Sequence, residues 1–168
     1  AALLGSTRFE EARVHLEQGI RKLGLTGDRW EENGARYHLA LVHLRLGEME
    51  KAKQVARSTQ EIGVEINDRL AAGDNLFTWA RATYGQIPRE ILEREKEHSC
   101  PDIQRAAELL GAEALLNLQK GEYQQGAELL DEAIAVYRRR RASTLYSAPL
   151  FAWALTAKRL VADQELGQ

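Results

Sequence analysis

The chain has 168 residues, 44% of them hydrophobic and 29% charged, and its 23 basic and 25 acidic side chains leave a formal net charge of −2. That length can bury the core of one domain, while so balanced a charge gives no overall field favouring nucleic acid or a membrane surface. No apolar run approaches the ~18 residues of a spanning helix, and the single Cys100 excludes an intrachain disulfide, which suits a reducing, cytoplasmic compartment.

In chain order, Ala1–Gly5 reads as the tail of a helix whose beginning is missing, so the chain is expected to be a segment of a longer protein. Residues 8–23 form the next helix, which Gly24 and Gly27 should break. Asp28 and Glu31 have the spacing of a capping box. They open a helix to about Leu46 with Ala35, Leu39, Val42 and Leu46 on one stripe. Its partner runs from about Glu48 to Gly63. Asn67 or Asp68 can cap a further helix carrying Leu76, Trp79, Ala80 and Thr83, with Trp79 expected in the core. Gly73 is a possible break in it, since glycine costs roughly 1 kcal/mol in a helix interior.

Pro88 suits a first helical turn. Ser99-Cys100-Pro101-Asp102 reads as a further start signal, launching a helix that ends at Gly121. Its partner continues to Arg138–Arg141, and a closing helix spans about Tyr146 to Leu166 with Pro149 in its first turn.

One spacing recurs. Ala114, Gly121, Gly126 and Ala133 are separated by 7, 5 and 7 residues, as are Ala40, Gly47, Ala52 and Thr59. Thr7, Phe9, Ala12 and Gly19 match the latter copy from Gly47 onward at a shift of 40. In the copy built on Thr78 and Gly85, Glu90 and Glu97 take the small-residue slots, so its second helix should be short and less closely packed. Small residues at fixed offsets around a turn mark helices that cross closely, and their recurrence marks a repeat array.

The ladder LALVHLRLGEMEKAKQVARST and AEALLNLQKGEYQQGAELLDEAI resembles the tetratricopeptide repeat, although the periods of 40, 38 and 36 between Thr7, Gly47, Gly85 and Gly121 exceed the family's usual 34. The longer units are similar to helical arrays of large bacterial signalling proteins that couple an NTPase or kinase to an output domain. The resemblance implies an all-α, right-handed stack of antiparallel helix pairs, an α-solenoid of about eight helices. Its units are about 1–27, 28–65, 66–98 and 99–141, followed by a closing helix at 142–166.

Catalytic motifs are not readable, so no enzyme activity, cofactor or metal is expected. There is no phosphate-cradling glycine loop, no G-x-S-x-G and no H-E-x-x-H. His38 and His43 point to different sides of a helix, and Cys100 near His98 lacks an orienting partner for nucleophilic work. The Arg138–Arg141 run could hold an anion, but four consecutive residues spread around a helix and its C-terminus favours cations anyway.

The first helices of each pair line the concave face in the resembled architecture. They offer Arg36, Tyr37, Leu41 and Arg45 in one unit and Phe77, Arg81 and Tyr84 in the next, a mixture of aromatic residues and arginine suited to binding hot spots. The expected role is a non-enzymatic interaction module that holds a peptide, a neighbouring domain or a second protomer, with self-association through the truncated N-terminal end. Two alternatives stand beside it: a small-molecule sensor with a pocket between helix pairs, and a structural spacer. The sensor would require several polar or ionisable groups buried together, and no such cluster is visible in the sequence.

Overall fold

Left-handed backbone marks the turns of the chain. Thr7, Gly47, Gly85 and Gly121, the four positions aligned by spacing, have φ of 60°, 76°, 88° and 82°. The computed structural model describes residues 7–98, 102–139 and 144–167; the expectations for Ala1–Gly5, Ser99–Pro101, Arg140 and Arg141 lie outside these.

The described residues form eight helices: α1 (Phe9–Thr26), α2 (Arg29–Arg45), α3 (Met49–Glu65), α4 (Arg69–Ala82), α5 (Arg89–Glu97), α6 (Ile103–Gln119), α7 (Tyr123–Arg139) and α8 (Thr144–Leu166). Successive helices pack on each other, and α2, α4, α6 and α8 also touch in sequence, giving the all-α stack of pairs that the ladder implied.

The local signals explain most boundaries. Asp28, Asp68 and Asp102 each accept a hydrogen bond from the N–H three residues on, at 3.1, 3.1 and 2.9 Å, which satisfies a donor the helix cannot. At the C-terminal ends, Glu48 N–H reaches the His43 carbonyl at 2.9 Å, Asp68 the Gly63 carbonyl at 2.7 Å, and Glu122 the Asn117 carbonyl at 3.0 Å. These are the six-to-one bonds of the Schellman turn, which needs one left-handed residue just before the donor. Gly47, Asn67 and Gly121 supply it. After α4 that slot is filled by Tyr84, at φ 52°, and Gly85 is the donor to Ala80 at 2.8 Å.

Several boundary expectations are corrected. Gly24 lies within α1, which continues to Thr26 and ends at Gly27 with φ 74°, because a single glycine lowers helix propensity without forcing a turn. Gly73 does not break α4 either. A Cβ there would come within 2.6 Å of Arg105 Nε, so the missing side chain makes room for an arginine arriving from α6. Pro149 lies in the second turn of α8 rather than the first.

The core follows the small-residue ladder. Ala40, Ala52, Ala114 and Ala133 are wholly buried, and a Cβ at Gly126 would press on Leu118 and the Ala114 carbonyl oxygen. Around these crossings pack Leu76, Phe77, Trp79, Leu92, Leu115, Leu130 and Leu150, each worth about 1.5–3 kcal/mol when fully withdrawn from water. A smaller cluster joins Ala12 and Val42, with Phe9, Leu16 and Leu46 against it, and Val14 stays 46% exposed.

The third pair is irregular, as its acidic slots suggested. Helix α5 has nine residues, Glu90 and Glu97 are exposed, and Leu92 and Glu95 turn inward. With so short a partner, α4 packs against α6 far more extensively than against α2. Arg105 holds this pair together. It donates to the carbonyls of Arg69 (2.9 Å), His98 (3.2 Å) and Glu95 (2.5 Å) and faces the Glu95 carboxylate at 3.6 Å.

Candidate functional site

The close approach of α4 to α6, with α2 on one side and α8 on the other, gathers polar groups that are far apart in the sequence. Gln104 near the start of α6 uses its amide twice, donating to Tyr37 Oη at 3.0 Å and to Asp74 Oδ2 at 3.2 Å. Tyr37 in turn donates to Glu108 Oε1 at a long 3.5 Å. The ring of Tyr146 on α8 stacks against that of Tyr37, with centroids 6.5 Å apart. His38 Nδ1 lies 2.9 Å from the Gly34 carbonyl and Nε2 lies 3.2 Å from Tyr146 Oη. A carbonyl only accepts, so the ring proton sits on Nδ1 and the Tyr146 hydroxyl donates to Nε2.

The chain of bonds ends in loose acceptors. Asp74 Oδ1, Glu108 Oε2 and the Tyr137 hydroxyl are sealed from water without a hydrogen-bond partner. Leaving such groups unpaired costs about 1–3 kcal/mol each, and more when charged.

Their titration follows from this setting. Burial first, and then the charge of Asp102, lifts the Asp74 carboxyl from 3.8 to about 8, with Asp68 adding and Arg105 opposing. Glu108 is also driven well above the usual carboxylate range, chiefly by burial and then by Asp74, against Arg81 and the Tyr37 bond. Burial raises Tyr37, Tyr137 and Tyr146 and lowers His38. Around neutral pH the Asp74 carboxyl is therefore mostly protonated and the His38 imidazole neutral, and burial favours the proton on Glu108 too.

Beside it a cleft of about 160 Å³ opens between α2 and α4, lined by Trp30, Glu31, Tyr37, His38, Asp68 and Asp74 among others. Compared with known protein families, curated proteins and solved structures, the chain matches none.

The residues singled out from the sequence divide into three sets. Tyr37 is a member of the cluster, and Arg81 stands at its edge with the guanidinium 5.4 Å above the Phe77 ring, where Glu108 attracts it without a hydrogen bond. Phe77 itself is core, at 1% exposure. Arg36 is tied to Glu32 one turn away, at 2.5 Å, and Leu41 is half-buried. Arg45 and Tyr84 face solvent. Of the arginine run, Arg138 lies over the Phe151 ring at 5.4 Å.

Asp74, Gln104, Glu108, Tyr137 and Tyr146 were missed. The sequence does not single them out, because Leu70–Ala82 also holds Asn75 and Arg81 and Ala106–Leu116 also holds Glu113. A carboxylate on such a stretch is seldom buried unless paired or used. Among the described residues no group of three or more His, Cys, Asp and Glu is placed to hold a metal ion, and no helix is long and apolar enough to cross a membrane.

Proposed function

We propose that this chain is a non-catalytic, tetratricopeptide-like receptor module, in which the first helices of neighbouring pairs hold a ligand group at the Tyr37–Asp74–Glu108 cluster. This is the sensor alternative, and one observation carries it: of the seven buried side-chain polar atoms without a hydrogen-bond partner among the described residues, three, on Asp74, Glu108 and Tyr137, gather in this one cluster. A cluster selected to stabilise the stack would satisfy them, whereas a site that waits for a ligand keeps them open at a cost in stability. By analogy with the arrays the ladder resembles, occupancy would be reported to a neighbouring domain.

The test is the stability of neutral isosteres. A carboxyl whose pKa is raised on folding binds its proton more tightly in the folded state, so it removes stability as pH climbs from about 4 to about 8. Asp74→Asn keeps an acceptor for Gln104 and has no proton to lose. Asp74→Asn and Glu108→Gln should match the parent near pH 4 and exceed it by at least about 1 kcal/mol near pH 9 in urea unfolding. Losses of about 2 kcal/mol or more at every pH would show that the carboxyls hold the fold together, and the receptor reading would fail.

A second reading, a protein contact on the same side of the stack, has its own support. Tyr84 is 66% exposed yet is held at φ 52°, a conformation disfavoured for a bulky residue. Strain of this kind persists most readily where it serves a contact.

A further inference from the structure

Resting on the receptor reading, the geometry points to a ligand class: we infer that the α2–α4 cleft takes a primary ammonium on a short alkyl chain, which forms an ion pair with Asp74 in a cleft that Trp30 also lines.

The lining carries the argument. Glu31, Asp68 and Asp74 contribute carboxylates, Trp30, Tyr37 and His38 contribute rings, and neither lysine nor arginine lines the cleft. The cations nearest in sequence are occupied elsewhere. Arg29 pairs with Glu65 at 2.8 Å and Arg36 with Glu32, while Arg69 binds the Asn67 side chain and Arg105 holds Glu95. Carboxylates among aromatic faces are the chemistry that recognises organic cations, since each ring face adds electrostatic attraction.

Glu108, bonded to Tyr37, is 4% exposed and ends in an Oε2 without a partner, and Asp74, a lining residue, ends in an Oδ1 that lacks one too and is closed to water, so an entering ammonium reaches it by a small shift of the cleft wall. An ammonium brings three donors. A space near 150 Å³ holds a guest of about six heavy atoms, so the cleft fits the end of a butylammonium chain. Trp30, 56% exposed, stands at the cleft as an available aromatic face.

Binding exchanges one cation for another. The incoming ammonium takes the place of the Asp74 proton, which leaves to solvent. The groups facing that exchange are Glu31 and Asp68 in the cleft, Asp102, Arg105, Arg81 and Glu108 behind it, and the neutral Tyr37, His38 and Tyr146. With the Asp74 pKa at about 8, the competent fraction rises from ~1% at pH 6 to ~50% at pH 8, so the apparent Kd should fall about 50-fold. The amine stays charged throughout that range.

The experiment is calorimetric titration of the whole chain with n-butylammonium chloride. Neutral 1-pentanol, one carbon longer, is the uncharged control, and Nα-acetyl-lysine methylamide represents a side chain borne by a partner. Expected are saturable binding of butylammonium, none of pentanol, the 50-fold pH gain, release of up to one proton, and at least about tenfold weakening in Asp74→Asn. Tighter binding of the lysine derivative would assign the ligand to a partner protein, and equal or weaker binding to a free amine. Equal binding of pentanol, an affinity unchanged from pH 6 to 8, or no saturation below about 10 mM overturns the inference. The two readings fail separately. If the isosteres are neutral or stabilising but no amine binds, only the ligand class is wrong; if they unfold the protein, both fall.

Discussion

Gly85→Ala should be the most damaging single-methyl change in the turns of this protein. Gly85 sits at φ +88°, where a side chain is strained by about 1 kcal/mol. An added Cβ would also lie 2.1 Å from the Leu115 carbonyl oxygen, 2.6 Å from its carbon and 2.9 Å from Gln119 Cβ. Two of these atoms are backbone in the middle of α6, so no rotamer change relieves the contact, and overpacking of this kind costs about 1–3 kcal/mol more. Gly121 is the natural control, because it is left-handed at φ +82° but has nothing within 4 Å of the position a Cβ would take. Gly121→Ala should therefore cost only the conformational part, and the difference between the variants isolates the close approach of the α4–α5 turn to α6. Urea unfolding followed by circular dichroism should place Gly85→Ala about 1–3 kcal/mol below Gly121→Ala. With a slope of about 2 kcal/mol/M, the midpoints would differ by about 1 M. Variants within about 0.5 kcal/mol of each other would mean that the turn does not rest on α6, and the packing argument for the site would lose its footing.

The other expectations concern charges and strain. Arg105→Met should cost about 3–5 kcal/mol, because it strands fully buried Glu95 and three backbone carbonyls; a thermal melt unchanged from the parent would contradict the clamp. Glu48 is held down at about 2 by hydrogen bonds from Lys51 first and then His43. A lowered carboxylate contributes stability that is present above about 4.5 and disappears as pH falls towards 2, so Glu48→Gln should flatten the acid limb of a stability–pH curve, and a limb of undiminished slope would assign acid sensitivity elsewhere. Tyr84→Gly should relieve left-handed strain and add up to about 1 kcal/mol at equilibrium; a net loss in urea unfolding would show that the exposed ring is held by packing.

Local chemistry made the helices legible. The aspartate caps at Asp28, Asp68 and Asp102, the left-handed turn positions and the shortness of α5 all depend on residues a few places apart, which is the range over which a single sequence carries information. Ala52, Ala114 and Gly126 were readable as crossings for a related reason: the same offsets recur. Gly73 was not, because the group that requires its bareness, Arg105, lies on another helix. The polar cluster escaped for the same cause. Tyr37, Asp74, Glu108, Tyr137 and Tyr146 come from five helices, and each taken alone looks like a polar residue that a helix could turn outward. Only the contact of α4 with α6 decides otherwise.

That contact exists because α5 is short. A full-length second helix in the third pair would stand between its neighbours and reduce the contact of α4 with α6 towards the slighter one that α2 makes with α4 beside the full-length α3. The irregular unit is thus the one part of the array that cannot be exchanged for a standard copy. Replacing residues 86–98 with a regular second helix would leave a longer and tidier stack, and it would dismantle the cluster without altering any of the residues that compose it.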